Sequence, residues 1–114
     1  MSAYAIAHLR QVTKGAAIVE YLQRIDATLA PFSGRFIVHG DKVEVLEGAW
    51  PGDLVIIEFP DRAQARAWYD SPTYRAILPL RTENSACNTV LVDGVDGDHR
   101  ATDVLARGSA DISA

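Results

Sequence analysis

The chain has 114 residues, a length that accommodates one hydrophobic core and excludes two independent domains. Hydrophobic residues make up 48% and charged residues 23%, which is typical of a folded domain and excludes a disordered or collagen-like chain. The formal net charge is -4 and the basic residues are scattered, which argues against a nucleic-acid-binding surface.

The single cysteine, Cys87, excludes an intrachain disulfide and a cysteine-based metal site, and it suits a reducing cytosol. The start of the chain lacks a basic region followed by a long apolar run, so we expect no signal peptide. No later segment approaches the roughly 20 apolar residues that a membrane span requires. We therefore predict a cytoplasmic protein that binds neither membranes nor nucleic acid.

The first two predicted elements are a strand and an amphipathic helix. Residues 3–9 alternate between two faces, which predicts a strand with His8 near its end. Apolar side chains recur every three or four residues from Lys14 to Leu29, which predicts a helix, with Thr13 as its N-cap. Pro31 then ends the helix because proline cannot continue the hydrogen-bond ladder.

The middle of the chain predicts extended structure. Residues 35–39 form the second predicted strand, and residues 42–47 continue extended after Gly40-Asp41. The sequence leaves open whether residues 35–48 form a hairpin or one bent strand. Residues 53–59 are the most strand-like stretch of the chain.

Two helices and a last strand follow. Asp61 is the predicted cap of a helix over residues 63–69, and Ser71 is the predicted cap of a second, short helix. Residues 88–93 supply the last strand. The resulting order, βαββαβ, predicts the α+β class and a ferredoxin-like fold with an antiparallel sheet.

Apolar residues on both sides of the predicted strands indicate that one subunit is incomplete. Leu54 and Ile56 lie on one side of their strand, and Val55 and Ile57 lie on the other. The helices of this architecture cover only one sheet face, and exposing the other would cost several kcal/mol. We therefore predict a homodimer that pairs through the open sheet face.

Four segments resemble a known family in order and spacing. They are Ala30–Phe36, Val43–Trp50, Glu58–Pro60 and Ala67–Tyr74. The chain is similar in these segments to the family called domain of unknown function 1330. The resemblance implies a bacterial, ferredoxin-like domain of the dimeric α/β-barrel superfamily, a homodimer with no established activity. It covers residues 1–95, and we expect residues 96–114 to form a weakly ordered C-terminal tail with at most one helical turn.

Three polar side chains on the predicted strands are candidate site residues. His8 is the candidate general acid or base, although a half-exposed histidine at a strand end is the plainer interpretation. Glu58 interrupts an apolar strand, where a carboxylate needs a partner. Antiparallel pairing places Glu58 near Tyr4 and roughly 10 Å or more from His8. We therefore predict an Arg35–Glu58 ion pair, with a structural or an anion-holding role.

Four aromatic residues suggest a ligand pocket, because Trp and Tyr combine a large apolar face with a polar tip. They are Trp50, Trp68, Tyr69 and Tyr74. Packing in the core or at a dimer interface is the alternative role. The sequence has no metal-ligand spacing, phosphate loop, catalytic serine elbow or dinucleotide fingerprint, so we expect no metal and no cofactor.

The sequence leaves three functions open. The preferred one is a homodimer that binds a small carboxylated or aromatic metabolite between helices and sheet, using Arg35, Glu58 and the four aromatic residues. The second is a cofactor-free isomerase or monooxygenase, with His8 as the candidate catalytic residue, by analogy with similar folds. The third is a structural or partner-binding dimer without a pocket.

Overall fold

The computed structural model of the protein describes residues 1–40 and 43–107, so the predictions for Asp41, Lys42 and residues 108–114 lie outside it. The elements, in chain order, are β1 Ala3–Val12, α1 Ala16–Leu29, a 3-10 turn Ala30–Phe32, β2 Arg35–His39, β3 Asp53–Phe59, α2 Arg62–Asp70, α3 Pro72–Thr82, β4 Ser85–Asp93 and a 3-10 segment Ala101–Arg107. None of the described helices has the length and apolar character needed to cross a membrane.

The strands form one antiparallel sheet in the order β2-β3-β1-β4. β1 is one of the two inner strands of the sheet, since it pairs with β3 at one edge and with β4 at the other. The helices that connect β1 to β2 and β3 to β4 pack on one face of this sheet. The predicted α+β class and ferredoxin-like fold are confirmed.

The core lies between the helices and this face of the sheet. Ala5, Ile57 and Phe59 face the helices from the sheet because they occupy alternate positions of β1 and β3. The buried cluster comprises Ala5, Tyr21, Ile25, Leu29, Ile57, Phe59, Ala65, Trp68, Tyr74, Ile77 and Leu78. The aromatic members come mainly from the helices, and the sheet contributes mostly aliphatic side chains.

The starts of α2 and α3 depend on the predicted caps. The Asp61 carboxylate accepts a hydrogen bond from the Gln64 backbone N–H at 2.8 Å. The Ser71 hydroxyl accepts one from the Tyr74 backbone N–H at 3.3 Å. Each cap satisfies a backbone donor that the first helical turn leaves unpaired.

The start of α1 differs from the prediction that Thr13 is its N-cap. Gly15 occupies that position and provides no side-chain hydrogen bond. β1 extends to Val12, and the Thr13 backbone N–H donates to the Asn84 carbonyl oxygen at 2.8 Å. Thr13 is therefore held beside the start of β4 and is too early in the chain to cap the helix.

The segment after β2 also differs from the prediction. β2 ends at His39, and residues 43–52 contain neither helix nor strand, so neither a hairpin nor a bent strand spans residues 35–48. β2 is an edge strand of the sheet, but residues 43–52 do not pair with its outer edge. The segment leads instead to Trp50, whose ring stacks on His8 of β1. Leu46, which the extended interpretation counted as an apolar strand residue, is 84% exposed.

The C-terminal part differs in a smaller way. The 3-10 segment Ala101–Arg107 contains Val104 and Leu105 and is longer than the single helical turn expected there. Leu105 is exposed. The division of the chain at residue 95 stays a prediction.

Gly52 is required where the loop before β3 approaches β1. Its φ is 83°, and a Cβ atom there would lie 1.8 Å from the Leu9 carbonyl oxygen. We expect Gly52→Ala to lower the free energy of unfolding by about 2–4 kcal/mol, because left-handed strain and a backbone clash add. Urea denaturation followed by circular dichroism measures this change.

Gly48→Ala is the matched control for that experiment. Gly48 also has a positive φ, 72°, but no atom of the described residues lies within 4 Å of its Cβ position. Gly48→Ala should therefore lower the free energy of unfolding only by the backbone strain, about 1 kcal/mol. Equal losses for the two variants would contradict the proposed clash with Leu9.

Candidate functional site

A cavity of about 80 Å³ lies between the helices and the sheet. Alternate residues of β1 on this face are Ala3, Ala5 and Ala7, and the last two line the cavity. Because these side chains are so small, the central strand leaves unfilled space beneath the helices. The other lining residues are Leu9, Tyr21, Leu22, Ile25, Phe36, His39, Val55, Ile57, Trp68, Tyr74, Arg81 and Thr89.

A buried polar cluster forms one part of the lining. The Tyr21 and Tyr74 hydroxyl oxygens are 2.7 Å apart and share a hydrogen bond. Arg81 Nη2 donates to the Tyr74 hydroxyl at 3.4 Å, and Arg81 Nη1 donates to Cys87 Sγ at 2.6 Å. Burial raises the pKa of the Tyr21 phenol well above its ordinary value, and the neighbouring Tyr74 raises it further. The Tyr21 phenol therefore stays neutral at physiological pH.

Helix α3 positions two members of this cluster. Tyr74, Ile77, Leu78 and Arg81 are its buried residues, and their spacing of three and four places them on one helix face. Tyr21 and Arg81 are not among the site residues predicted from the sequence. A signal was present, because Arg81 is a charged residue that continues an apolar helical stripe, but it was not used.

Two of the four predicted aromatic residues line the cavity. Trp68 packs its ring 4.1 Å from the Tyr74 ring, measured between centroids, and its indole N–H donates to Thr28 Oγ1 at 3.0 Å. Tyr69 packs behind Tyr74, with ring centroids 5.7 Å apart, and lies outside the lining. The Arg75 guanidinium lies 4.8 Å above the Tyr69 ring.

The remaining predicted residues lie on the opposite, open face of the sheet. His8 stacks on Trp50 with ring centroids 4.1 Å apart, and its Nε2 lies 2.7 Å from the Pro51 carbonyl oxygen. Because that oxygen can only accept, this contact selects the tautomer protonated on Nε2. The stack holds the loop before β3 against β1.

The predicted Arg35–Glu58 pair is confirmed as a contact. Glu58 is in register with Tyr4 on β1 and with Arg35 on β2. Arg35 Nη2 and Nε donate to Glu58 Oε1 at 2.6 and 2.9 Å, and the Tyr4 hydroxyl donates to Oε2 at 3.4 Å. Both oxygens of the Glu58 carboxylate therefore accept a hydrogen bond from a side chain on this face of the sheet.

The predicted site residues thus form two separate groups and not one shared site. Trp68 and Tyr74 line the cavity, whereas Arg35, Glu58, Trp50 and His8 lie across the sheet from it. A catalytic role for His8 and ligand binding by the other residues stay predictions. Within residues 1–40 and 43–107, no group of three His, Cys, Asp or Glu side chains could hold a metal ion.

Residues 2–95 match the model of a family described as a domain of unknown function, DUF1330. The chain belongs to this family. The match spans all four strands and the three α-helices of the fold and therefore includes both faces of the sheet. Among curated proteins, none matches the chain.

Solved structures with the same fold come from several bacteria. RPA0582, a protein of unknown function from Rhodopseudomonas palustris, is 15% identical over 83% of each chain, with a TM-score of 0.66. A dimeric ferredoxin-like protein of unknown function from Jannaschia sp. CCS1 is 14% identical over 82% of this chain and 100% of its own, with a TM-score of 0.64. SnoaB, a cofactor-independent oxygenase from Streptomyces nogalater, is 13% identical over 87% of this chain and 98% of its own, with a TM-score of 0.52. These similarities show the fold that the DUF1330 chain shares with them.

The raised pKa of Tyr21 predicts a loss of stability at alkaline pH. Above about pH 10 the unfolded chain releases the Tyr21 proton while the folded chain keeps it, so the free energy of unfolding falls by up to about 1.4 kcal/mol per pH unit from this group. Tyr21→Phe should make the fall with pH less steep by that amount. Urea denaturation at a series of pH values measures the slope.

Tyr4→Phe is the control for this slope. The Tyr4 hydroxyl is on the open face of the sheet, beside Glu58. This variant retains Tyr21 and should keep the alkaline dependence that Tyr21 causes. Identical slopes for the wild-type protein and Tyr21→Phe would show that Tyr21 does not cause the alkaline loss.

Proposed function

We propose that this DUF1330 protein is a homodimer that binds a small carboxylated or aromatic metabolite in the cavity between helices and sheet. The observation that carries the proposal is the composition of the cavity wall, which is mostly apolar and includes the buried Tyr21–Tyr74–Arg81 cluster. Small-molecule sites in proteins typically combine an apolar lining with a few polar groups of this kind. The unfilled space argues against a dimer without a pocket.

The size of the cavity restricts the ligand. Its volume of about 80 Å³ is roughly half of the ~150 Å³ that holds benzene in an engineered protein core. A short aliphatic acid therefore fits inside, whereas an aromatic ring requires the rim to open. The rim of the cavity is formed by lining residues that are also exposed, namely Leu22, His39 and Thr89.

The open sheet face supports the homodimer. Val90 and Val92 are 55% and 41% exposed, and Val38 on β2 is 38% exposed. Ile56 on β3 lies between Val38 on β2 and Ile6 on β1, in register with both. A second copy that covers these side chains would remove their apolar surface from water. The Jannaschia protein of the same fold is described as dimeric.

Ile56→Asp tests the homodimer. We expect this substitution to raise the dimer dissociation constant by about 100-fold or more, since each interface would bury a carboxylate without a partner. Sedimentation velocity at micromolar concentration measures the change. Val19→Asp, at a 52% exposed position of α1, is the control and should remain dimeric. A wild-type protein that is monomeric at this concentration and melts cooperatively would overturn the proposed dimer.

Ala7→Leu tests ligand binding in the cavity. A screen of propionate, isobutyrate and benzoate by thermal shift and ligand-observed NMR should identify at least one compound that binds the wild-type protein. Leucine at position 7 would occupy part of the cavity and should weaken binding by about tenfold or more.

Ala86→Leu is the matched control on β4. Ala86 is exposed and does not line the cavity, so this variant should bind as the wild-type protein does. Binding that Ala7→Leu leaves intact would place the ligand elsewhere. Absence of binding throughout such a screen would count against the proposed function.

A second candidate function is a cofactor-free isomerase or monooxygenase. It is favoured by the two phenol groups and the guanidinium in one apolar cavity, because such donors stabilise an oxyanion that develops during a reaction. Conversion of a bound compound during NMR would favour this function over simple binding. Loss of that conversion in Tyr21→Phe would assign the chemistry to the cavity, whereas loss in His8→Ala would assign it to the open face.

A further inference from the structure

We propose that Arg81 anchors the carboxylate of the ligand and makes the cavity selective for small monocarboxylates. This inference rests on the proposed function and adds the chemical class of the ligand and the residue that selects it. Arg35, which the sequence suggested as an anion-holding residue, is already paired with Glu58 and its side chain is 72% exposed.

Arg81 is a buried cation that has no carboxylate partner among the described residues. The residue is 7% exposed, and none of the ion pairs formed within residues 1–40 and 43–107 includes it. Other arginines, whose side chains are far more exposed, do pair with carboxylates: Arg24, Arg35, Arg62, Arg66 and Arg75. An arginine keeps its charge in proteins, and burying that charge costs several kcal/mol unless an anion compensates it.

The Arg81 guanidinium also has hydrogen-bond donors that the described residues do not use. A guanidinium has several N–H donors, of which one is used by Cys87 and one by Tyr74. Arg81 Nε has no partner in the described part of the chain, yet no buried side-chain nitrogen there is left unsatisfied. Nε is therefore not fully buried, and Arg81 itself lines the cavity. A ligand in the cavity can accept from this group.

The described lining of the cavity also lacks a carboxylate that would compete with a ligand for Arg81. No Asp or Glu belongs to the described lining of the cavity, so its only formal charge is that of Arg81. The Tyr21–Tyr74 pair shares one hydrogen bond, which leaves a second phenolic proton for another acceptor. A carboxylate can thus accept from the guanidinium and from a phenol in apolar surroundings, where charge-assisted hydrogen bonds are strong.

The rival explanation is that the Cys87 sulfur is the compensating anion. Arg81 Nη1 lies 2.6 Å from Cys87 Sγ, so a thiolate would neutralise the guanidinium without a ligand. The two explanations differ in what Cys87→Ala does. If the ligand carboxylate is the partner, the wild-type protein already prefers a carboxylate, and removal of the sulfur leaves that preference in place. If a thiolate is the partner, the wild-type protein has no such preference, and removal of the sulfur creates one.

The experiment compares isobutyrate with isobutyramide, which have similar shapes but differ in charge. Ligand-observed NMR on the full-length protein at pH 7 should show the acid binding about tenfold or more tightly than the amide. Arg81→Met should remove this preference and Cys87→Ala should keep it. Arg35→Met, on the other sheet face, is the matched arginine control and should also keep it.

Two controls distinguish a lost preference for the acid from a loss of folding. Circular dichroism checks that each variant is folded. Arg81→Lys is a second variant that keeps the charge but cannot form a bidentate contact with a carboxylate. Arg81→Lys should retain part of the preference for the acid. The comparison of acid with amide on the wild-type protein tests charge selectivity without any substitution.

The outcomes separate this inference from the proposed function. Equal binding of acid and amide, blocked by Ala7→Leu, would overturn carboxylate selection while the cavity remains the binding site. A preference that appears only in Cys87→Ala, or one that Arg35→Met removes and Arg81→Met leaves intact, would overturn the role of Arg81. Failure of every compound to bind would remove the basis of both proposals.

Discussion

The central strand β1 carries side chains of opposite character on its two faces, and most of the molecule follows from that alternation. Toward the helices it presents Ala3, Ala5 and Ala7, and toward the open face it presents Tyr4, Ile6 and His8. Hydrogen bonds to β3 and β4 on both edges hold this register, so neither set can change sides. The small side chains create the cavity and the large ones create the surface that the proposed homodimer covers.

The same separation assigns different roles to the two arginine sites. On the open face, Arg35 and Glu58 neutralise each other across neighbouring strands, and solvent screens what is left. Beneath the helices, Arg81 has only phenol and thiol partners in the described residues, and little water reaches it. The proposed carboxylate binding at Arg81 follows from this difference, because its charge is buried and no carboxylate of the described residues pairs with it.

The fold by itself places few limits on activity. Proteins of unknown function and an oxygenase share it with this DUF1330 chain at identities near 15%. What distinguishes one such protein from another is the set of side chains that line the space between helices and sheet. In this chain the side chains that line the cavity are mostly apolar. The buried polar ones among them are Tyr21, Tyr74 and Arg81.

The sequence by itself determined the α+β class, the order of strands and helices, the Asp61 and Ser71 caps and the contact between Arg35 and Glu58. These features depend on local periodicity, on capping within one helical turn, or on a strand register that the fold class imposes. Family membership also followed from local segments, because the four matching motifs keep their spacing along the chain.

Only the tertiary structure decided where the segment after β2 goes and which side chains share a site. Val43 and Val45 alternate like strand residues, but their segment does not pair with the outer edge of β2 and leads instead to Trp50, whose ring stacks on His8 of β1. Tyr21 and Arg81 are 60 positions apart in the sequence, and they meet because α1 and α3 pack on the same face of the sheet. Residue type and spacing identify the face of a helix, but packing between elements decides which faces meet.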